Sequence, residues 1–201
     1  MALTRQQEME QVAYDLGLEY HLEDEPGTLP YLGGFRFLKH AHSRRISHLL
    51  HFKDDMLNTD LRIFDIKYSR GYGKHKRTYR QTVFFLQSKQ LGLPEFFMEP
   101  ETLFRKLKIY LKLNKDINFP EYPKFSSQYY LTGEDEDYIR ATFQDPVLKL
   151  FSAERDWTLE GVNYYMVLYR RNQLLPPNAA SFLYRFGIKL SNLLAAGDLE
   201  L

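Results

Sequence analysis

Hydrophobic and polar positions alternate with a period of two through most of the first half of the chain. This period is typical of β-strands with one buried face. The runs at 61–68 and 78–86 are also rich in β-branched and aromatic residues. Because the connections between the runs are short, we expect the strands to form an antiparallel meander. The predicted strands lie near residues 35–39, 46–52, 61–68, 78–86 and 96–98.

Segments whose apolar residues follow the spacing of a helix lie on both sides of this predicted meander. Thr4 and Gln7 match a capping box, in which each side chain accepts a hydrogen bond from an otherwise unpaired backbone N–H group. We therefore predict a helix that runs to Leu16 and ends at Gly17. A second helix is predicted to begin near Pro100, which suits the first turn of a helix.

The second half of the chain predicts a strand, a helix, a hairpin and a last helix. Pro146 falls inside the helical stripe of residues 138–151, and we expect it to end or kink that helix. Residues 161–163 are typical of a turn between two strands. Pro176 and Pro177 precede the final apolar helix. Strands grouped beside helices, rather than alternating with them, favour the α+β class.

One segment is a candidate domain boundary. Residues 114–126 contain Pro120 and Pro123 and are predicted to be a connector. We therefore predict two halves, residues 1–113 and 127–201, with a single domain as the alternative. A chain of 201 residues is long enough for either arrangement.

The composition is that of an ordinary globular protein. Hydrophobic residues make up 44% and charged residues 26% of the chain, which excludes a disordered protein. The absence of cysteine excludes a disulfide framework, a thiol nucleophile and a cysteine-ligated metal. The first twenty residues lack the apolar core of a signal peptide, and no apolar run is long enough to cross a bilayer. We therefore expect a cytoplasmic protein without membrane attachment.

The charges are unevenly distributed, although they nearly cancel over the whole chain at a formal +1. Twelve of the 27 basic residues, but only four of the 26 acidic residues, lie between residues 36 and 80. That segment has a net charge of +8, and the rest of the chain has −7. The near-neutral total weakens the case for non-specific nucleic-acid binding, which grows with the number of phosphates neutralised.

The densest basic segment is the predicted hairpin of residues 62–80, called the basic hairpin below. Its cations are interspersed with Tyr68, Tyr72 and Tyr79. Cations beside aromatic rings suit a single-stranded nucleic acid, and a basic hairpin also suits a duplex groove or an acidic protein surface. The alternative is a solvated hairpin whose charges only prevent edge-to-edge pairing. The candidate binding residues are Arg62, Arg70, Tyr72, Lys74, Lys76, Arg77 and Arg80.

This charge pattern predicts a non-enzymatic binding domain whose partner is a polyanion or an acidic protein surface. An acidic run at residues 134–137 precedes a predicted helix, where the helix dipole favours negative charge. The alternative for this run is that it faces the basic segment, within one chain or across a homo-oligomer. No cofactor is expected.

Histidine offers a competing function. Five of the six histidines lie within residues 36–80. His40 and His42 are two apart, so on a strand both side chains would leave the same face. An enzyme acting on a small anionic substrate would use His40, His42 or His75 as its proton carrier. A metal site is not expected, because basic neighbours repel a dication and the spacing indicates no third ligand.

One carboxylate is embedded in apolar sequence. Asp65 lies between Phe64 and Ile66 in a predicted strand. A buried carboxylate needs a partner. We therefore expect Asp65 to form a structural ion pair with a neighbouring arginine such as Arg80.

Short motifs follow one another in a fixed order along the chain: Arg62-Ile63-Phe64-Asp65, Tyr68, Gly71-x-Gly73-Lys74, Gln81-Thr82-Val83, Leu93-Pro94-x-Phe96, Pro100-Glu101, Phe125-Ser126-x-x-Tyr129-x-Leu131-x-Gly133-x-Asp135-Glu136-x-x-Ile139-Arg140, Trp157-x-x-Glu160-Gly161 and Tyr169-Arg170. This succession resembles an uncharacterised family of bacterial proteins over roughly residues 44–175. The family has no known activity or cofactor, so the resemblance implies no chemistry. Some of its members carry membrane helices ahead of this domain. The present chain has the predicted helix at Thr4–Leu16 there, so we do not extend membrane attachment to it.

Overall fold

The computed structural model of the protein describes residues 3–101 and 116–195. Within these ranges the helices are α1 (Arg5–Leu16), α2 (Pro123–Gln128), α3 (Glu136–Thr142), α4 (Asp145–Ala153) and α5 (Pro177–Ala195). The strands are β1 (Glu19–His21), β2 (His42–Asp54), β3 (Thr59–Arg70), β4 (Arg77–Ser88), β5 (Leu93–Pro100), β6 (Tyr129–Gly133), β7 (Thr158–Asn163) and β8 (Tyr165–Tyr169). Short 3₁₀ helices span Leu29–Leu32, Arg36–Leu38 and Gly73–His75.

The described strands form one sheet in the order β1-β2-β3-β4-β8-β7-β5-β6. Every pairing in this sheet is antiparallel. The helices do not connect parallel strands, so the predicted α+β class is confirmed. Strand β4 pairs with β8 from Val83 to Gln87, so strands from both sides of residues 114–126 belong to the same sheet.

Two expectations about strands are wrong. Residues 35–39 do not form a strand, because Arg36–Leu38 is a 3₁₀ helix. Phe35 and Phe37 are both buried, as the alternation suggested, but they belong to a 3₁₀ turn and not to a strand. Strand β5 also does not continue the meander of β2, β3 and β4, since it pairs with β6 and β7. Pro100, where a helix was predicted to begin, is instead the last residue of β5, and the rest of that predicted helix lies outside the described residues.

Other local predictions are confirmed. Thr4 and Gln7 form the capping box of α1, and Gly17 ends that helix at a φ of 67°. The helical segment predicted across Pro146 is interrupted between α3 and α4, and Pro146 lies in the first turn of α4. Within residues 3–101 and 116–195, no helix is both long and apolar enough to span a membrane.

One face of the sheet, called the helix face below, packs against α1 and α5. Met9 and Leu183 belong to the same buried cluster as Ile63 and Phe84 of the sheet. Gly187 brings α5 close to the sheet, because a Cβ at this position would lie 2.4 Å from the Phe84 ring. The helix face therefore carries the larger part of the core.

The opposite face, called the loop face below, is covered by the segment 28–41. Leu32, Phe37 and Leu38 of this segment pack in one buried cluster with Phe64 of the sheet. The segment is held by Glu160 of β7. Its carboxylate accepts hydrogen bonds from the backbone N–H groups of residues 36 and 37, at 2.5 and 3.3 Å. Both faces of the central sheet are therefore covered.

Candidate functional site

The basic hairpin extends beyond β8 on its β4 side. Strands β3 and β4 pair along their whole length, up to Arg70 opposite Arg77. Strand β8 pairs with β4 only between Val83 and Gln87, so the distal part of β4 continues past it. Strand β2 follows β3 as far as His42 opposite Ser69. The turn at residues 71–76 is exposed and can meet a partner.

Glycine and histidine shape the tip of this hairpin. Gly71 has a φ of 72°, and a Cβ there would lie 2.6 Å from the His75 carbonyl oxygen. His42 braces the turn, because its Nε2 lies 2.8 Å from the Gly71 carbonyl oxygen and its ring stacks on Tyr72 at 4.8 Å. The Tyr72 side chain remains 79% exposed. The turn at the tip is therefore held in a defined conformation by these contacts.

Four of the predicted binding cations, namely Lys74, Lys76, Arg77 and Arg80, are exposed on this hairpin. Lys67 is also exposed, and it lies directly opposite Arg80 in the β3–β4 register. Lys67 is not among the binding residues predicted from the sequence, because its position opposite Arg80 depends on the strand register.

The hairpin carries two cross-strand pairs of like charge, Lys67–Arg80 and Arg70–Arg77. Like charges directly opposite each other destabilise an antiparallel pair. Within the described part of the chain, no carboxylate forms an ion pair with any of these four residues. The positive charge of these four residues is therefore not neutralised by carboxylates of the described residues.

The placement of Arg62 on this surface is wrong. Arg62 lies at the other end of β3 and is only 3% exposed. Its guanidinium donates to the Asp60 carboxylate at 2.7 and 2.8 Å and to the Thr28 hydroxyl at 3.0 Å. It also lies over the Tyr31 ring, 5.0 Å from the ring centre. Arg62 is a structural residue because every partner it has is internal.

Two of the three tyrosines of the basic hairpin are not available for stacking on a ligand. Tyr68 is buried and Tyr79 is half-buried, and their rings stack on each other at 5.4 Å. Burial raises the pKa of the Tyr68 hydroxyl. Arg70 covers both rings and donates to the carbonyl oxygens of residues 36 and 37 at 3.0 and 2.7 Å. Only Tyr72 of the three offers an open ring.

Asp65 does have an arginine partner, but that partner is Arg5 of α1 and not Arg80. The two side chains meet through two hydrogen bonds at 2.6 and 2.8 Å, and Thr82 donates a third to the same carboxylate at 2.7 Å. Because α1 packs on the helix face, its arginine reaches a carboxylate that projects from that face. This pairing leaves Arg80 without a carboxylate partner among the described residues.

A cleft of about 400 Å³ lies on the helix face beside the hairpin. Its basic lining residues include Arg5 and Arg45, which are matched by Asp65 and Glu23. The remaining basic residues of its lining are Lys67 and Arg80. The positive charge that is not neutralised therefore concentrates on the hairpin side of the cleft.

A smaller cleft of about 200 Å³ lies on the loop face at the base of the hairpin. Arg36, Arg70 and Arg171 contribute to its walls, and Arg171 donates to Glu99 at 2.5 Å. Glu160 lies buried beside Arg36, and burial raises the pKa of its carboxyl group. Basic groups therefore border the hairpin on both faces of the sheet.

The histidines proposed as proton carriers do not form a site. His40 and His75 are exposed, and His42 stacks on the exposed Tyr72. His40 and His75 lie in turns, and His42 is the half-buried first residue of β2, so the three do not line a common pocket. The histidine-based enzyme function therefore receives no support from the geometry.

A different group of histidine and carboxylate side chains does come together at the β1 edge of the sheet. One ligand atom each of Glu19, His21 and His51 lies within 4.8 Å of the other two. Burial lowers the pKa of the His51 imidazole. Sequence reasoning missed this group because Glu19 and His21 are about thirty residues away from His51. The strand pairing Glu19–His51 joins them.

The acidic run at residues 134–137 starts a helix, as the dipole argument predicts. The Asp135 side chain caps α3 by accepting a hydrogen bond from the Tyr138 backbone N–H at 3.0 Å. Glu136 pairs with Arg140 one turn later at 2.7 Å. Helix formation is sufficient to explain these acids.

Comparison with known proteins gives a likeness in fold. No family model matches the chain, and no curated protein matches it in sequence. A similar solved structure is the crystal structure of the mycobacterial trehalose monomycolate transport factor A, with a TM-score of 0.57. The match covers 96% of this chain and 93% of that chain at 10% sequence identity. At this identity the likeness shows a shared fold and nothing further.

Proposed function

We propose that the protein is a non-enzymatic binding protein that docks an acidic protein surface on its basic hairpin. The observation that carries this proposal is that two cross-strand positions of the hairpin pair like charges, Lys67 opposite Arg80 and Arg70 opposite Arg77. Like charges at opposite positions lower the stability of an isolated hairpin. A partner that brings carboxylates to this surface relieves the repulsion and gains charge complementarity.

An acidic protein suits the hairpin better than a single-stranded nucleic acid. Base stacking contributes about 1–3 kcal/mol per base and needs open aromatic rings. Tyr68 and Tyr79 stack on each other, and His42 covers one face of the Tyr72 ring. The cations thus remain available while most of the stacking surface does not.

The protein whose solved structure has a similar fold is named a transport factor, and a binding role for this chain agrees with that name. The scattered positions of His40, His42 and His75 point the same way. We further propose that the chain belongs to the uncharacterised bacterial family that its motifs resemble.

Binding of fluorescently labelled poly-L-glutamate at low salt tests the proposal. The variant Lys74→Gln/Lys76→Gln/Arg77→Gln/Arg80→Gln is expected to weaken binding about tenfold or more, because each exposed charge contact contributes about 0.2–1 kcal/mol. Binding of the unchanged protein should also weaken as salt is added, since the contacts are exposed and screened.

The matched control is Lys89→Gln/Lys124→Gln/Arg155→Gln/Arg185→Gln, which removes four exposed cations outside the hairpin. If this variant loses as much affinity as the hairpin variant, net charge alone explains binding and the proposal fails. A single-stranded oligothymidylate of equal charge is the second probe. Tighter binding of that probe, lost on Tyr72→Ala, would assign a nucleic acid as the partner instead.

A further inference from the structure

The β1 edge of the sheet carries three side chains that point to a common centre. Glu19 lies directly opposite His51 in the β1–β2 register, and His21 is on the same face of β1 as Glu19. The Glu19 carboxylate is 3.6 Å from His21 Nε2 and 4.0 Å from His51 Nδ1. These separations are too long for good hydrogen bonds. They are close to the spacing of about 3.3 Å between tetrahedral ligand atoms at zinc bond lengths.

A carboxylate stands behind each of the two histidines. Asp60 lies 3.2 Å from His51 Nε2, and Glu25 lies 3.1 Å from His21 Nδ1. Each carboxylate accepts the proton on its nitrogen, which leaves the lone pair of the other ring nitrogen directed toward Glu19. A histidine that ligates a metal is oriented in this way in proteins.

One of the two ring nitrogens that face Glu19 is an unsatisfied buried atom. His21 Nε2 is buried and has no hydrogen-bond partner among the residues that the structure describes. An unsatisfied buried polar atom costs free energy. Coordination of a cation would satisfy it.

The local charge favours a cation. Glu19, Glu25 and Asp60 are acidic, while Arg62 is the cation that contacts this group. The Arg62 guanidinium is turned toward Asp60 and Thr28. The basic residues that argued against a metal near His40 and His42 therefore do not oppose one here.

We propose that Glu19, His21 and His51 form a binding site for a divalent transition-metal ion, with Zn²⁺ as the best fit. Two imidazoles and one carboxylate are a recognised zinc ligand set, which leaves one coordination position to water. The Glu19 side chain is 77% exposed, so solvent reaches that position. The ion would fasten β1, a strand of three residues, to the edge of the sheet.

Titration of the chelator-treated protein with Zn²⁺ against a chromophoric chelator tests this site. One equivalent is expected to bind, and Co²⁺ at the same site should give the visible absorption of tetrahedral coordination. His21→Ala and Glu19→Gln should each abolish both signals. Glu25→Gln should weaken Zn²⁺ binding about tenfold or more, because it removes only the carboxylate behind His21.

The matched control is His40→Ala, which removes an exposed histidine outside the group. It should bind one equivalent as the unchanged protein does. Circular dichroism of each apo variant shows whether it is folded. Glu19→Gln is expected to fold normally, because it changes an exposed side chain. Weak binding of several equivalents that His21→Ala and Glu19→Gln leave unchanged would mark scattered surface histidines and overturn the proposal.

Discussion

Arg62 and Arg80 lie on neighbouring strands of the same hairpin, yet their surroundings give them opposite roles. Arg62 is enclosed by Asp60, Thr28 and an aromatic ring. Arg80 is exposed and faces Lys67. A buried cation with fixed partners maintains the fold, whereas an exposed cation beside another cation is available to a ligand.

This difference predicts the effect of removing each charge. Arg62→Met is expected to lower the free energy of unfolding by about 3–5 kcal/mol, because it leaves the buried Asp60 carboxylate without its cation. Arg80→Met should change it by no more than about 0.5 kcal/mol. Urea denaturation of the two variants measures both values. A stable Arg62→Met variant that loses poly-L-glutamate binding would return Arg62 to the binding surface.

At the scale of residues, the sequence predicted where the basic charge is concentrated, but it did not predict which of the charged residues are buried. The density of cations between residues 36 and 80 predicted a basic surface, and four of the predicted cations are exposed in the structure. Arg62 was misplaced because its enclosure depends on Thr28, which is far from it along the chain. The same limit applied to Asp65, whose partner Arg5 comes from a helix sixty residues away.

At the scale of elements, the β3–β4 hairpin combines regular pairing with repulsive charges. Its twelve paired positions continue to the turn without a register shift. Pairing and the Tyr68–Tyr79 stack therefore stabilise a hairpin that its charges oppose. We expect substitutions that relieve the repulsion to stabilise the fold and to weaken binding together.

Arg77→Glu tests this relation. It replaces the Arg70–Arg77 repulsion with an attraction, and the free energy of unfolding should rise by about 0.2–1 kcal/mol. Affinity for poly-L-glutamate should fall in the same variant, and Arg77→Gln should fall between the two proteins in both measurements. If Arg77→Glu lowers stability, the repulsion on which the proposed function rests is not present.

The strands were easier to predict from the sequence than their order in the sheet. The period of two located β2, β3 and β4, because each strand has alternating faces that must be buried. The same pattern misassigned residues 35–39, where Phe35 and Phe37 reach the loop face from a turn. The position of β5 beyond β7 depends on pairing with residues 129–133 and 158–163, which local pattern does not encode.

Over the whole molecule, the covered and uncovered parts of the sheet are clearly separated. Helices pack on one face, and the segment 28–41 packs on the other. The turn of the basic hairpin, residues 71–76, is exposed outside this covered region, and clefts that contain basic residues lie on both faces beside the hairpin. The formal charge of +1 conceals this separation, because the acids that balance the hairpin lie elsewhere along the chain.

Amide chemical-shift mapping of the ¹⁵N-labelled protein during titration with poly-L-glutamate is the most direct test of this surface. The structure predicts that the largest shifts fall on residues 67–80 and disappear in the four-residue hairpin variant. Shifts concentrated on α5, or equally small shifts spread over the sheet, would show that the basic hairpin is not the docking surface.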